Sequence, residues 1–183
     1  MQNKAPDLLM LVMRVTILLT LTVIVLGAYT RLSDAGLGCP DWPGCYGTLT
    51  VPQSAEALAD AHTTYPDLPV EHAKAWKEMV HRYLAGILGL FVLGLFMQAW
   101  RERKTIKVTP WLPTALIGIV GFQAMLGMWT VTMLLKPAIV TLHLLGGMLT
   151  LALLCWAMLS DRQQKPAIVS RGLKNWAILA LVV

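Results

Sequence analysis

The stretch that decides the fold is EMVHRYLAGILGLFVLGLFMQAW, residues 78–100, in which His81 lies near the start of a long apolar run. A second run, AIVTLHLLGGMLTLALLCWAM, residues 138–158, repeats the arrangement with His143. An apolar run of about 20 residues is long enough to cross the hydrocarbon core of a bilayer as a helix. Since an ionisable side chain inside such a run is costly, each histidine marks a candidate functional site.

The whole chain has the composition of a membrane protein. Of its 183 residues, 56% are hydrophobic and 14% are charged, and the mean hydropathy is +0.62. Soluble globular domains contain only about 45–50% apolar residues. We therefore predict an all-α integral membrane protein with a four-helix transmembrane bundle. The predicted spans are residues 9–29, 79–100, 112–133 and 138–159.

A fifth apolar run begins near Trp176 and stops at Val183, so the chain looks like part of a longer protein. The expected organisation is an N-terminal four-helix half, a cytoplasmic linker and the start of a fifth transmembrane helix. This helix would open the second half of the protein, which is missing. These parts correspond to residues 1–160, which include a long loop at 31–77, then 161–175 and 176–183.

The distribution of charge predicts the orientation in the membrane. Lys and Arg gather in the loop 101–107 and after the fourth span, whereas acidic residues dominate the loop 31–77. By the positive-inside rule the N-terminus is cytoplasmic and the loop 31–77 lies outside. The N-terminus resembles neither a transit peptide nor a cleaved signal, so we expect a bacterial inner-membrane protein. The net charge of +5 reflects this bias and indicates no nucleic-acid binding.

The predicted topology brings His81 and His143 to one depth. Both of their helices enter from outside, and at ~1.5 Å rise per residue both side chains lie within roughly 10 Å of the outer boundary. Two such imidazoles can ligate one heme iron. The alternative is that each histidine bonds to a neighbouring helix or reaches the headgroups. Glycines follow both histidines, at Gly86, Gly89, Gly146 and Gly147. The lack of side chains there would let a macrocycle approach the backbone. The alternative is that these small residues let helices pack closely.

Glu78 and Arg82 flank the first histidine. Glu78 lies three residues before His81 on the same helical face, and Arg82 lies four after Glu78 and can pair with it. The carboxylate can orient the imidazole, relay protons or stabilise positive charge, and Arg82 can reach a heme propionate. The alternatives are an interfacial charge for Glu78 and a snorkelling side chain for Arg82. Since no helix breaker follows Pro69, this helix is predicted to start outside the membrane.

The outer loop contains Cys39 and Cys45 within a segment rich in proline and glycine. Because this loop is predicted on the oxidising side of the membrane, we expect a disulfide. Neither a second CxxC motif nor nearby histidines support a zinc site. Whether the disulfide is structural or a redox couple stays open. Cys155, in the fourth span, is interpreted as a buried thiol.

Four motifs together resemble the heme A synthase family. They are GAYTRLSDAGLGCPDWPGC after the first span, EMVHRYLAG opening the second, FQAMLGMWTV in the third and TLHLLGG opening the fourth. The resemblance covers nearly the whole sequence. It implies an eight-helix protein built from two similar halves, of which this chain matches the first.

The resemblance also implies a function, the oxidation of a methyl group of heme O to the formyl group of heme A for cytochrome oxidase assembly. By the resemblance, His81 and His143 ligate or flank heme, Glu78 takes part in catalysis, and Cys39 and Cys45 are the external cysteine pair. A heme b cofactor is expected in the missing half. Besides heme O and the bilayer, candidate partners are heme O synthase and an electron-transfer protein. The alternative is a membrane b-type cytochrome that only carries electrons.

Overall fold

The structure is a computed structural model that describes residues 4–103 and 111–160. Within this part of the chain, five helices follow one another, and four of them are long and apolar enough to cross a membrane. This confirms the predicted fold class. The helices are α1 (Lys4–Leu32), α2 (Ala55–Thr64), α3 (His72–Glu102), α4 (Trp111–Thr132) and α5 (Pro137–Ser160). The predicted linker at 161–175 and the start of a fifth transmembrane helix at 176–183 lie outside the described residues.

The four long helices form a closed ring. Helix α1 packs against α3 and α5, and α4 packs against the same two helices. Neighbours run antiparallel, so α3 and α5 are parallel and lie on a diagonal of the bundle. Both begin at the end of the bundle that carries the segment between α1 and α3. We call this end the loop end.

Two clusters of buried side chains hold the fold together. The first lies among the long helices, away from the loop end, and consists of Val23, Leu88, Val92, Leu95, Leu116 and Leu154. The second joins the outer loop to the start of α3 and consists of Cys39, Cys45, Tyr46, Val51, Ala61, Ala75 and Met79. The loop is therefore a packed cap on the bundle.

The predicted disulfide between Cys39 and Cys45 is present, and both side chains are completely buried in the cap. Tyr46 follows the disulfide and its hydroxyl donates a hydrogen bond to the Pro69 carbonyl at 3.1 Å. Burial and nearby carboxylates raise the pKa of the Tyr46 phenol above its ordinary value, so it remains a protonated donor. The disulfide links residue 39 to residue 45, and this hydrogen bond links residue 46 to residue 69, shortly before the start of α3.

The outer loop also contains a helix that the sequence analysis did not predict. Helix α2 begins after Ser54, whose hydroxyl accepts a hydrogen bond from the Ala57 N–H at 3.1 Å. Only Ala61 of α2 is buried, so the segment lacks the apolar periodicity that would have revealed it. In contrast, α3 begins at His72, well before the apolar run at residue 79, as the stretch after Pro69 predicted.

Candidate functional site

The two histidines lie on the two diagonal helices. His81 is on α3 and His143 is on α5. Each ring rests against a glycine of a neighbouring helix. A Cβ atom on Gly27 of α1 would lie 2.8 Å from Cε1 of His81, and one on Gly127 of α4 would lie 3.5 Å from Cε1 of His143. Both glycines precede the last residue of their helix by five positions, which agrees with one depth for the two rings.

Each imidazole keeps a free ring nitrogen inside the bundle. Nδ1 of His81 and Nδ1 of His143 are buried and have no hydrogen-bond partner among the described residues. A histidine that ligates a metal typically donates one ring N–H to a fixed acceptor and leaves the other nitrogen for the metal. His81 and His143 each keep a ring nitrogen that can ligate a heme iron.

Glu78 is buried, with 4% of its surface exposed, and it connects α3 to the disulfide loop. Its Oε2 accepts a hydrogen bond from the Cys39 N–H at 3.0 Å. Its Oε1 pairs with Arg82. The structure therefore contains the ion pair that the four-residue spacing predicted, and the carboxylate has donors on both oxygens.

Arg82 extends the same connection. Its Nη1 donates to the carbonyl of Asp41 at 2.9 Å and to the carbonyl of Gly44. A Cβ atom on Gly38 would lie 2.6 Å from the carbonyl carbon of Lys74, so a glycine is needed where the loop backbone meets α3. The loop is thus held within one helical turn of His81. The predicted contact of Arg82 with a heme propionate stays a prediction.

The glycines that the sequence analysis singled out have different surroundings. A Cβ atom on Gly146 would overlap the Gln123 amide of α4, and one on Gly147 would lie 3.5 Å from Ile24 of α1. Gly86 and Gly89 face open space in the described part of the chain. The glycines that contact the histidine rings, on α1 and α4, were missed. Their positions near the ends of the neighbouring spans that precede the loop end were a usable signal.

A groove lies between α4 and α5 beside His143. Its volume is about 350 Å³, and its walls are apolar apart from the amide of Gln123. We call it the α4–α5 groove. Its lining includes Gly118, Phe122 and Gln123 of α4 and Leu142, Gly146 and Leu149 of α5.

Comparison with known proteins assigns the chain to a family. Residues 10–183 match the model of the COX15-CtaA family, described as cytochrome oxidase assembly protein. The chain belongs to this family. It is 48% identical over 170 residues to the heme A synthase of Shewanella oneidensis, an alignment that covers 93% of the chain and 51% of that protein. It is 27% identical over 179 residues to the heme A synthase of Caulobacter vibrioides, covering 87% and 52%.

Membership of the cytochrome oxidase assembly protein family confirms the resemblance to heme A synthases that the motifs carried. Together with the four apolar spans, it makes this chain a membrane protein. The chain spans about half the length of the curated relatives it matches.

Proposed function

We propose that this chain forms the heme O site of a heme A synthase, an enzyme that oxidises a methyl group of heme O to the formyl group of heme A. The observation that carries the proposal is the histidine pair, since parallel helices of the bundle each carry one buried ring nitrogen without a hydrogen-bond partner among the described residues. The name of the matched relatives supports the same activity. The product would serve cytochrome oxidase assembly.

In this proposal His81 and His143 hold the substrate between α3 and α5. The backbones of these two helices do not pack against each other in the described part of the chain, which leaves the diagonal to side chains and a ligand. Gly27 and Gly127 leave room for the two imidazoles beside α1 and α4. The heme itself supplies the redox chemistry when it is bound.

Glu78 has a supporting role in the proposal. The sequence left it as a proton acceptor or a charge stabiliser, and a carboxylate with donors on both oxygens suits the second role better. It is a fixed negative charge one turn from His81. Such a charge, in a site from which water is excluded, stabilises positive charge that develops when a substrate carbon loses electrons.

The proposal includes the location of the site. The loop end faces the outside of a bacterial inner membrane and the N-terminus is cytoplasmic, because Arg101 and Arg103 lie at the opposite end. A resident heme b would belong to the part of the longer protein beyond Val183. An electron-transfer partner and heme O synthase are proposed contacts of the whole protein.

The test is pigment extraction from cells that make heme O and express the full-length protein. Wild-type protein should yield heme A. His81→Ala and His143→Ala should lose both heme A and part of the heme absorption, because each removes a ligand. His72→Ala is the matched control, since His72 is an exposed histidine of the same helix α3.

Glu78→Gln separates catalysis from binding. The amide keeps the size of the side chain and can still accept the Cys39 N–H, so the heme spectrum should persist while heme A disappears. A wild-type protein with a heme spectrum but without heme A would instead favour the b-type electron carrier. Normal heme A from the Glu78→Gln enzyme would remove this carboxylate from the chemistry.

A further inference from the structure

Gln123 is an amide inside a membrane-spanning helix, where polar side chains are costly and commonly functional. It is the polar side chain among the described residues that line the α4–α5 groove. The Gln123 amide packs against α5 at Gly146, where the Cβ atom of any other residue would overlap it. The backbone of α5 therefore makes room for the amide.

The groove adjoins the histidine site. Gln123 lies four residues before Gly127, the glycine that seats the His143 ring, and Gly146 lies three residues after His143. Residues at these spacings share one helical face. The groove therefore begins one helical turn from His143, on the side away from the loop end.

We propose that the α4–α5 groove binds the isoprenoid chain of heme O, and that the Gln123 amide hydrogen-bonds to the hydroxyl group next to the macrocycle on that chain. The inference rests on the proposed function. Heme O differs from protoheme by this long hydrocarbon chain and its hydroxyl, so an enzyme that selects heme O needs an apolar channel with one hydrogen-bonding group beside the ring.

The dimensions and lining of the groove match such an occupant. Its volume of about 350 Å³ lies within the roughly 300–1,000 Å³ typical of small-molecule sites. Half-exposed leucines such as Leu142 and Leu145 line its opening between the helices, so a chain longer than the groove can continue into lipid. A lipid tail or an apolar helix face would fill the groove as well, but neither presents a hydroxyl to an amide at this depth.

The test uses two glycines of α4 and the full-length protein. A Cβ atom on Gly118 or on Gly121 meets nothing within 4 Å, so a side chain can start at either position without a clash at its first carbon. Gly118 lines the groove and Gly121 does not. Dissociation constants for heme O and for protoheme, which lacks the chain, are measured by absorbance titration of the heme-stripped protein.

Gly118→Leu should weaken heme O binding by about tenfold, the effect of excluding two methylene groups, and should leave protoheme binding unchanged. Gly121→Leu should change neither constant. Gln123→Leu should also reduce the preference for heme O over protoheme. An apolar replacement of Gln98, an amide of α3 outside the groove, controls for loss of an amide from a membrane helix.

The outcomes separate the two proposals. If wild-type protein binds both hemes but Gly118→Leu leaves the preference intact, or weakens both hemes equally, the groove holds lipid or another helix and the inference is overturned. If wild-type protein binds hemes without preferring heme O, the inference also fails, whereas the histidine site stands. If wild-type protein binds neither heme, both proposals fail.

Discussion

Replacing Arg82 by methionine should detach the disulfide loop from α3. The guanidinium pairs with Glu78 and donates to the carbonyls of Asp41 and Gly44. The side chains of Arg82 and Glu78 are only 11% and 6% exposed, so water screens the pair weakly. Removing one partner of a buried ion pair costs about 3–5 kcal/mol, because the other charge is left without compensation. Arg82→Met should destabilise the protein by an amount in this range.

A double-mutant cycle tests this reasoning. Glu78→Gln removes the charge that Arg82→Met would strand, so the double variant should be less destabilised than the sum of the single variants by about 1–3 kcal/mol. Unfolding can be followed in detergent by tryptophan fluorescence, and amide hydrogen exchange of the loop localises the effect. Lys74→Met is the control, because the ion pairs of Lys74 with Asp34 and Glu71 are solvent-exposed.

Two results would refute the argument. Strict additivity of the Glu78 and Arg82 variants would show that the two side chains do not act as a pair. Equal small effects of Arg82→Met and Lys74→Met, with loop amides still protected, would show that the loop is held by its disulfide and apolar contacts alone. Either result would also remove the reason to treat Glu78 as a fixed charge beside the histidine.

Three further variants test the contact of Gly27 with the His81 ring, the disulfide, and the hydrogen bond of Tyr46 in the loop. Gly27→Ala should displace the His81 imidazole and shift the heme absorption bands, whereas Gly86→Ala, in open space, should not. Replacing both disulfide cysteines by serine should cost about 2–3 kcal/mol or less and leave heme titration unchanged. Since the pKa of Tyr46 is raised in the folded loop, the stability of the loop should hold below the ordinary pKa of 10.0 and fall at higher pH. Tyr46→Phe should reduce this loss of stability, measured by hydrogen exchange of the loop amides, and Tyr65, whose pKa is also raised by burial, should account for the remainder.

The bundle was predictable because a bilayer permits few solutions. Backbone polar groups in hydrocarbon must bond within their own helix, so an apolar run of sufficient length predicts a span directly. The pair of Glu78 and Arg82 was predictable for a similar reason, since four residues in one helix fix the separation of two side chains. The shared depth of the histidines follows from the same counting.

What the sequence did not reveal depends on contacts between distant segments. The hydrogen bond from the Cys39 N–H to Glu78 joins residues 39 positions apart, and no local pattern encodes it. The glycines that contact the histidine rings, Gly27 and Gly127, lie on different helices from the histidines themselves. Helix α2 was missed because it buries little apolar surface. Its stability depends on the cap at Ser54 and on packing of the loop.

The two proposals together orient the substrate. The α4–α5 groove extends away from the loop end, whereas Glu78 and Arg82 lie toward it, so the isoprenoid chain of heme O and the carboxylate are on opposite sides of the histidine pair. Changes on the two sides of the histidine pair should then act on different properties. Gly118→Leu should change the preference for heme O over protoheme, and Glu78→Gln should change the yield of heme A. In the double variant each effect should keep its size, because the two positions share no contact. Strong coupling between them would mean that the chain does not leave the site through this groove.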